Sequence, residues 1–179
     1  MIGIACLAAA SVGALLLSEW SGRRAGVWVA KPLASAAIVG LAVQQGALDS
    51  VYGRWVLAAL LLSFSGDVLL IPKAKRSFAL GLLAFLAAHV AYGFGFLERG
   101  VEPAALLGAT LLVVPSAGFT LRYLQPHLRG PLRIGIPAYV LAIASMAVLA
   151  AGAAARNGAP LLFAGAALFC ASDLAGARE

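Results

Sequence analysis

Asp67 is the one charge in the run from Trp55 to Pro72, which is long enough to cross a bilayer. A carboxylate at that depth costs roughly 2.5–3.5 kcal/mol on insertion scales, so it reads first as a functional acid and second as a structural acid held by a lysine. Four further groups with useful chemistry lie inside apolar segments: Lys31, His89, Tyr139 and Asp173, with Tyr92 one turn beyond His89 and Ser172 beside Asp173. Two carboxylates held close in a low dielectric titrate apart, leaving one acid and one base, which suits acid-base hydrolysis of a bond carried into the membrane by a lipid. A Ser-His-Asp hydrolase fits poorly, since no G-x-S-x-G elbow occurs. Zinc held by His89, Asp67 and Asp173 is conceivable, but one histidine is thin for zinc. There is no H-E-x-x-H, phosphate loop or dinucleotide fingerprint, and no cofactor is expected.

These groups need apolar helices to position them. The 179 residues are 63% hydrophobic and 11% charged, with a mean hydropathy of +0.98, a balance that belongs to a polytopic membrane protein. Seven apolar segments run roughly over 2–19, 27–44, 54–72, 77–97, 103–121, 133–152 and 159–175. Breaks fall at Ser21-Gly22, Gln44-Gln45-Gly46, Pro72-Lys73, Arg99-Gly100, Pro126 with Gly130-Pro131, and Asn157-Gly158. The expectation is one all-α transmembrane domain over 1–179, a bundle of seven antiparallel helices. Ile2 to Leu17 lacks a basic region before it and is followed by Arg23 and Arg24, which fits a first spanning helix better than a signal peptide.

Of the thirteen Lys and Arg, set against seven Asp and Glu, all but Lys31 lie between or at the ends of the apolar segments and so report topology here. The loops after segments 1, 3 and 5 and the tail carry Arg23, Arg24, Lys73, Lys75, Arg76, Arg122, Arg129, Arg133 and Arg178; the other side has only Arg54, Arg99 and Arg156. This bias puts the N-terminus outside and the C-terminus in the cytoplasm. Nucleic acid is not an expected partner, since basic and aromatic residues do not interleave.

At 1.5 Å per residue, Lys31 lies about 6 Å and Asp67 about 8 Å from the cytoplasmic ends of their segments. Tyr139 and Asp173 fall at similar depth, and His89 is nearer mid-membrane. A common depth on different helices points to one cavity open toward the cytoplasm, with His89 at its floor. Bland readings exist beside this one: Lys31 snorkels to the interface, His89 is a satisfied core histidine, Asp173 is interfacial, and Ser63, Ser65 and Ser172 bond back to their own helices. Cys6 and Cys170 read as small buried residues, and Gly81, Gly93, Gly95, Gly108 and Gly165 as packing glycines.

Taken in order, Lys31-Pro32, Leu62-Ser-Phe-Ser-Gly66-Asp67-Val-Leu-Leu-Ile-Pro72, the stretch from Phe78 through Gly81 and Phe85 to His89 and Tyr92, Pro137-Ala-Tyr139, and Gly165-Ala-Ala-Leu-Phe169-Cys-Ala-Ser172-Asp173 resemble the YhhN family of lysoplasmalogenases. No single motif decides this; five in register do. The resemblance implies a lysophospholipid substrate in the bilayer. Its vinyl ether would be hydrolysed to a fatty aldehyde and glycerophosphocholine or glycerophosphoethanolamine. Asp67 and Asp173 would be the catalytic pair. Lys31 would hold one of them ionised or meet the lipid phosphate, and His89, Tyr139, Tyr92 and Ser172 would support substrate or water. It also implies an eighth helix after the Ser-Asp motif, whereas this chain stops at Arg178-Glu179, so the last helix is expected to be missing. A bacterial inner membrane is the expected location. The rival readings are a lipid or small-molecule transporter, with Pro115 and Pro137 as kinks, a receptor or assembly protein whose polar groups are structural, and a metal-dependent membrane lipid hydrolase.

Overall fold

The computed structural model describes residues 2–22, 24–72, 74–128, 130 and 132–176. Arg23, Lys73, Arg129 and Arg178 of the charge count, the side chain of Arg24, and Pro131 of the fifth break lie outside the described residues. So does Glu179.

Among the described residues, seven α-helices form where the apolar segments lie: α1 Ile2–Trp20, α2 Arg24–Gln44, α3 Val51–Leu70, α4 Lys75–Glu98, α5 Pro103–Leu124, α6 Leu132–Asn157 and α7 Pro160–Gly176, with a 3₁₀ turn at Gln125–His127. Five of them, α2 to α6, are long and apolar enough to cross a membrane; α1 and α7 carry shorter apolar stretches, Cys6–Ser18 and Pro160–Asp173. Among the described residues there is no strand. The chain is thus an all-helical membrane protein.

The punctuation has a backbone cause. Gly22, Gly46, Gly100, Gly130 and Gly158 all have positive φ, between 56° and 79°, and each falls at a break read from the sequence. Two of these glycines close helices with paired bonds: after α2, Gly46 and Ala47 donate to Val43 and Ala42, and after α6, Gly158 and Ala159 donate to Ala155 and Ala154. Starts are capped as well. Ser50 Oγ accepts from Gly53 N at 3.0 Å ahead of α3, and Glu102 Oε2 accepts from Ala105 N at 2.6 Å ahead of α5, with Pro103 in the first turn. The prolines Pro32, Pro115 and Pro137 lie inside helices that continue past them.

The chain divides into two compact units, Met1–Ala91 and Tyr92–Glu179, with the boundary inside α4. In the first, α1 packs on α2 and α2 on α3, while α3 meets α4 through glycines. A β-carbon added at Gly66 would lie 2.7 Å from the Phe85 ring, and one at Gly81 would lie 2.9 Å from Leu70. In the second, α5 packs on α6 and α6 on α7. Gly152 of α6 admits Leu106 and Val101, and Gly93 meets Leu149.

The buried apolar side chains are nearly all alanines, among them Ala30, Ala34, Ala37, Ala59, Ala88, Ala150 and Ala153, whereas large residues such as Leu16, Leu111, Leu112, Phe119, Ile134 and Leu161 are exposed. Water-soluble cores show the reverse. Close backbones within and bulky side chains toward lipid are what helix association in a bilayer requires.

Several sequence expectations are corrected. Cys6 is exposed and Cys170 half-buried, so neither is a buried core residue; a thiol is apolar enough to face lipid. Gly108 and Gly165 are exposed with open space around them, so they are not packing glycines. Ser65 does bond back to Leu61, at 2.9 Å, but the buried Ser63 hydroxyl has no hydrogen-bond partner among the described residues.

Candidate functional site

In the first unit, α2 presents Lys31 and Ser35 one turn apart on the same face. Both reach Asp67 of α3. Lys31 Nζ lies 3.4 Å from Asp67 Oδ1, and Ser35 Oγ donates to Oδ2 at 2.6 Å. The two charged side chains keep 24% and 25% of their surface exposed, so the pair is partly desolvated and still open. Each carboxylate oxygen has lone pairs beyond these contacts, which leaves capacity to accept from water or a substrate. The neighbours fix the geometry: Ala30 and Ala34 are buried on α2, and Gly66, next to the acid, is held against Phe85. Lys31 is therefore a partner of the acid, which answers the snorkelling alternative. Ser63 is one turn from Asp67 on α3 and 8% exposed.

His89 is 1% exposed, and its Nδ1 lies 2.6 Å from the Phe85 carbonyl oxygen one turn back on α4. A carbonyl only accepts, so Nδ1 carries the proton in that bond.

In the second unit, Tyr139 of α6 donates its hydroxyl to Asp173 Oδ2 of α7 at 3.0 Å. Both side chains are half-buried, and Ser172 beside the acid is exposed. Tyr92, at the end of α4, stacks on Phe96 and meets Phe169 edge-on, with ring centroids 5.9 Å apart and planes at 70°. Phe169 precedes Asp173 by one turn, so Tyr92 braces the α7 face that carries the acid. The structure thus brings together Lys31 with Asp67 and Tyr139 with Asp173, two carboxylates each held by a donor from the preceding or next-packed helix. Among the described residues no three His, Cys, Asp or Glu side chains gather as a metal site would need.

Sequence reasoning missed Ser35. Its signal was present: a hydroxyl four residues after Lys31 must share that residue's face. In a segment rich in small residues it reads as packing.

All-helical architecture and five bilayer-length apolar helices, one of them carrying Asp67 on a lysine and a serine of its neighbour, define a polytopic membrane protein with a polar cluster between its helices. The profile of the YhhN family matches residues 26–178, and the chain belongs to that family. It is 38% identical over 125 residues to a lysoplasmalogenase of Mycobacterium bovis and equally to one of Mycobacterium tuberculosis, covering 67% of this chain and 47% of each relative. It is 34% identical over 122 residues to lysoplasmalogenase TMEM86B of Sus scrofa, covering 66% of this chain and 51% of that protein. The chain therefore spans about half the length of the curated relatives it matches. No solved structure matches it.

Proposed function

We propose that this protein is a membrane-embedded ether hydrolase that cleaves the vinyl ether of lysoplasmalogens by carboxylate acid-base catalysis. The products are a fatty aldehyde and glycerophosphocholine or glycerophosphoethanolamine. The single observation that carries the reading is the Lys31–Asp67–Ser35 cluster within a bilayer-length segment of a chain whose family includes named lysoplasmalogenases. We take the protein as one helical domain over 1–179 with seven spans, N-terminus outside and C-terminus cytoplasmic, in a bacterial inner membrane.

Asp67 and Asp173 act as the catalytic pair. One of the two delivers the proton as a carboxylic acid, and the other supplies negative charge as a carboxylate. Protonation of the alkenyl carbon remote from the ether oxygen turns the carbon attached to that oxygen into an oxocarbenium ion. The carboxylate of the pair stabilises this cation and orients a water. Water adds to the cationic carbon, and the proton it loses restores the acid. The resulting hemiacetal breaks its carbon–oxygen bond to the glycerol, giving aldehyde and alcohol. Lys31 and Tyr139 fix the two carboxylates, while His89, Tyr92 and Ser172 support substrate or water. The reaction consumes only water.

The test is to incubate the purified protein with a lysoplasmalogen and, separately, with the matched ester lysophospholipid, in deuterated water. The reading predicts aldehyde from the first, with one solvent deuterium on its second carbon, and nothing from the second. Fatty acid released from the ester would contradict it.

A further inference from the structure

A cavity of about 460 Å³ opens in the second unit where α5 ends and α6 begins. Its polar lining is Arg122, Gln125 and Arg133, and its apolar walls include Leu121, Leu128 and Pro137. Among the described residues neither guanidinium has a carboxylate partner. Arg133 also lies in the first turn of α6, where the helix dipole is already positive, so the cavity concentrates uncompensated positive charge.

An apolar track leads to it. Leu107, Leu111 and Val114 of α5 are 64%, 67% and 56% exposed, and with Gly118, which lines the cavity, they recur at intervals of four, three and four residues. That spacing is one stripe along a helix. A β-carbon at Gly118 would meet nothing within 4 Å, so the end of the stripe is open. From Leu107 to Leu121 the stripe rises about 21 Å, enough for an acyl chain in one leaflet. Arg133 and Pro137 share a face of α6, whereas Tyr139 points about 200° around the axis from Pro137. The cavity is therefore separate from the Tyr139–Asp173 pair.

We propose that this cavity binds the phosphate of an anionic bilayer phospholipid, with an acyl chain along the α5 stripe. Arginine forks match phosphate oxygens in pairs, and two guanidinium groups with no carboxylate partner among the described residues favour a net-negative lipid over a zwitterionic one. Basic pockets between membrane helices on the cytoplasmic side bind acidic head groups in this way, and the proposed topology puts this end there.

The test measures thermal stability of the purified full chain in micelles doped with phosphatidylglycerol, in micelles doped with phosphatidylcholine, and with inorganic phosphate alone. A ligand of the folded state raises Tm by mass action, here by about 4 °C or more with phosphatidylglycerol. The gain should be absent with phosphatidylcholine and lost in the Arg122→Gln/Arg133→Gln double variant, while Arg156→Gln, at the other end of α6, keeps it. Native mass spectrometry of retained phosphatidylglycerol in each single variant gives the same comparison if the double variant folds poorly. Full stabilisation of the double variant, or equal stabilisation by phosphatidylcholine, would overturn the proposal. Equal stabilisation by inorganic phosphate would overturn the lipid as occupant. None of these readings depends on aldehyde release, so they stand or fall apart from the proposed activity.

Discussion

At the residue scale, Asp67 matters because of what surrounds it. An ammonium and a hydroxyl from one face of α2 occupy its two oxygens. A structural pair and a catalytic acid look alike in this respect, and paired substitution separates them. Lys31→Met leaves a partly buried carboxylate with one partner and should lower stability by about 1–2 kcal/mol. Adding Asp67→Leu should restore stability, since an apolar pair can replace an ion pair of similar volume, yet aldehyde release should stay lost. Recovery of activity in the double variant would make the pair purely structural. Tyr139→Phe removes the hydroxyl that fixes Asp173 and should cut turnover about tenfold with helicity unchanged by circular dichroism. Lys31, Asp67, Tyr139 and Asp173 were legible in the sequence as ionisable or phenolic groups in apolar runs. Their pairing was legible only as common depth. Ser35 and Ser63 were hidden, because a serine among alanines and glycines carries no hydropathy signal.

At the element scale, the seven helices fall within a few residues of the apolar segments because left-handed glycines end five of the breaks. Which face of each helix turns inward was not legible. In a lipid-facing helix every side is apolar, so the 3.6-residue contrast that marks a water-soluble core disappears. Packing glycines were legible only in part for that reason: Gly81 and Gly93 do sit against neighbouring side chains, but Gly66 and Gly152 make close contacts that were not singled out, and Gly108 and Gly165 are open. Gly66→Leu should drive a side chain into Phe85 and destabilise the protein by about 1–3 kcal/mol, with loss of activity through the adjacent Asp67. Gly108→Leu should be close to neutral. Thermal melts in detergent compare the two, and equal effects would contradict the packing described for α3 and α4.

At the scale of the whole molecule, the proposed orientation follows from charge placement, and it decides which leaflet would supply the proposed substrate. With Cys6 and Cys170 replaced by serine, Asp49→Cys in the α2–α3 connection should react with an impermeant maleimide on intact cells. Gly130→Cys, before α6, should react only after permeabilisation. The opposite pattern would invert the topology.

The proposed activity depends on Asp67 and Asp173, and its most direct test is aldehyde release from a lysoplasmalogen by the purified chain against its Asp67→Asn and Asp173→Asn variants. Each amide keeps the shape of the side chain and removes its acid-base chemistry, so each should lower the rate by about 100-fold or more; a wild-type rate in either variant would contradict the catalytic pair.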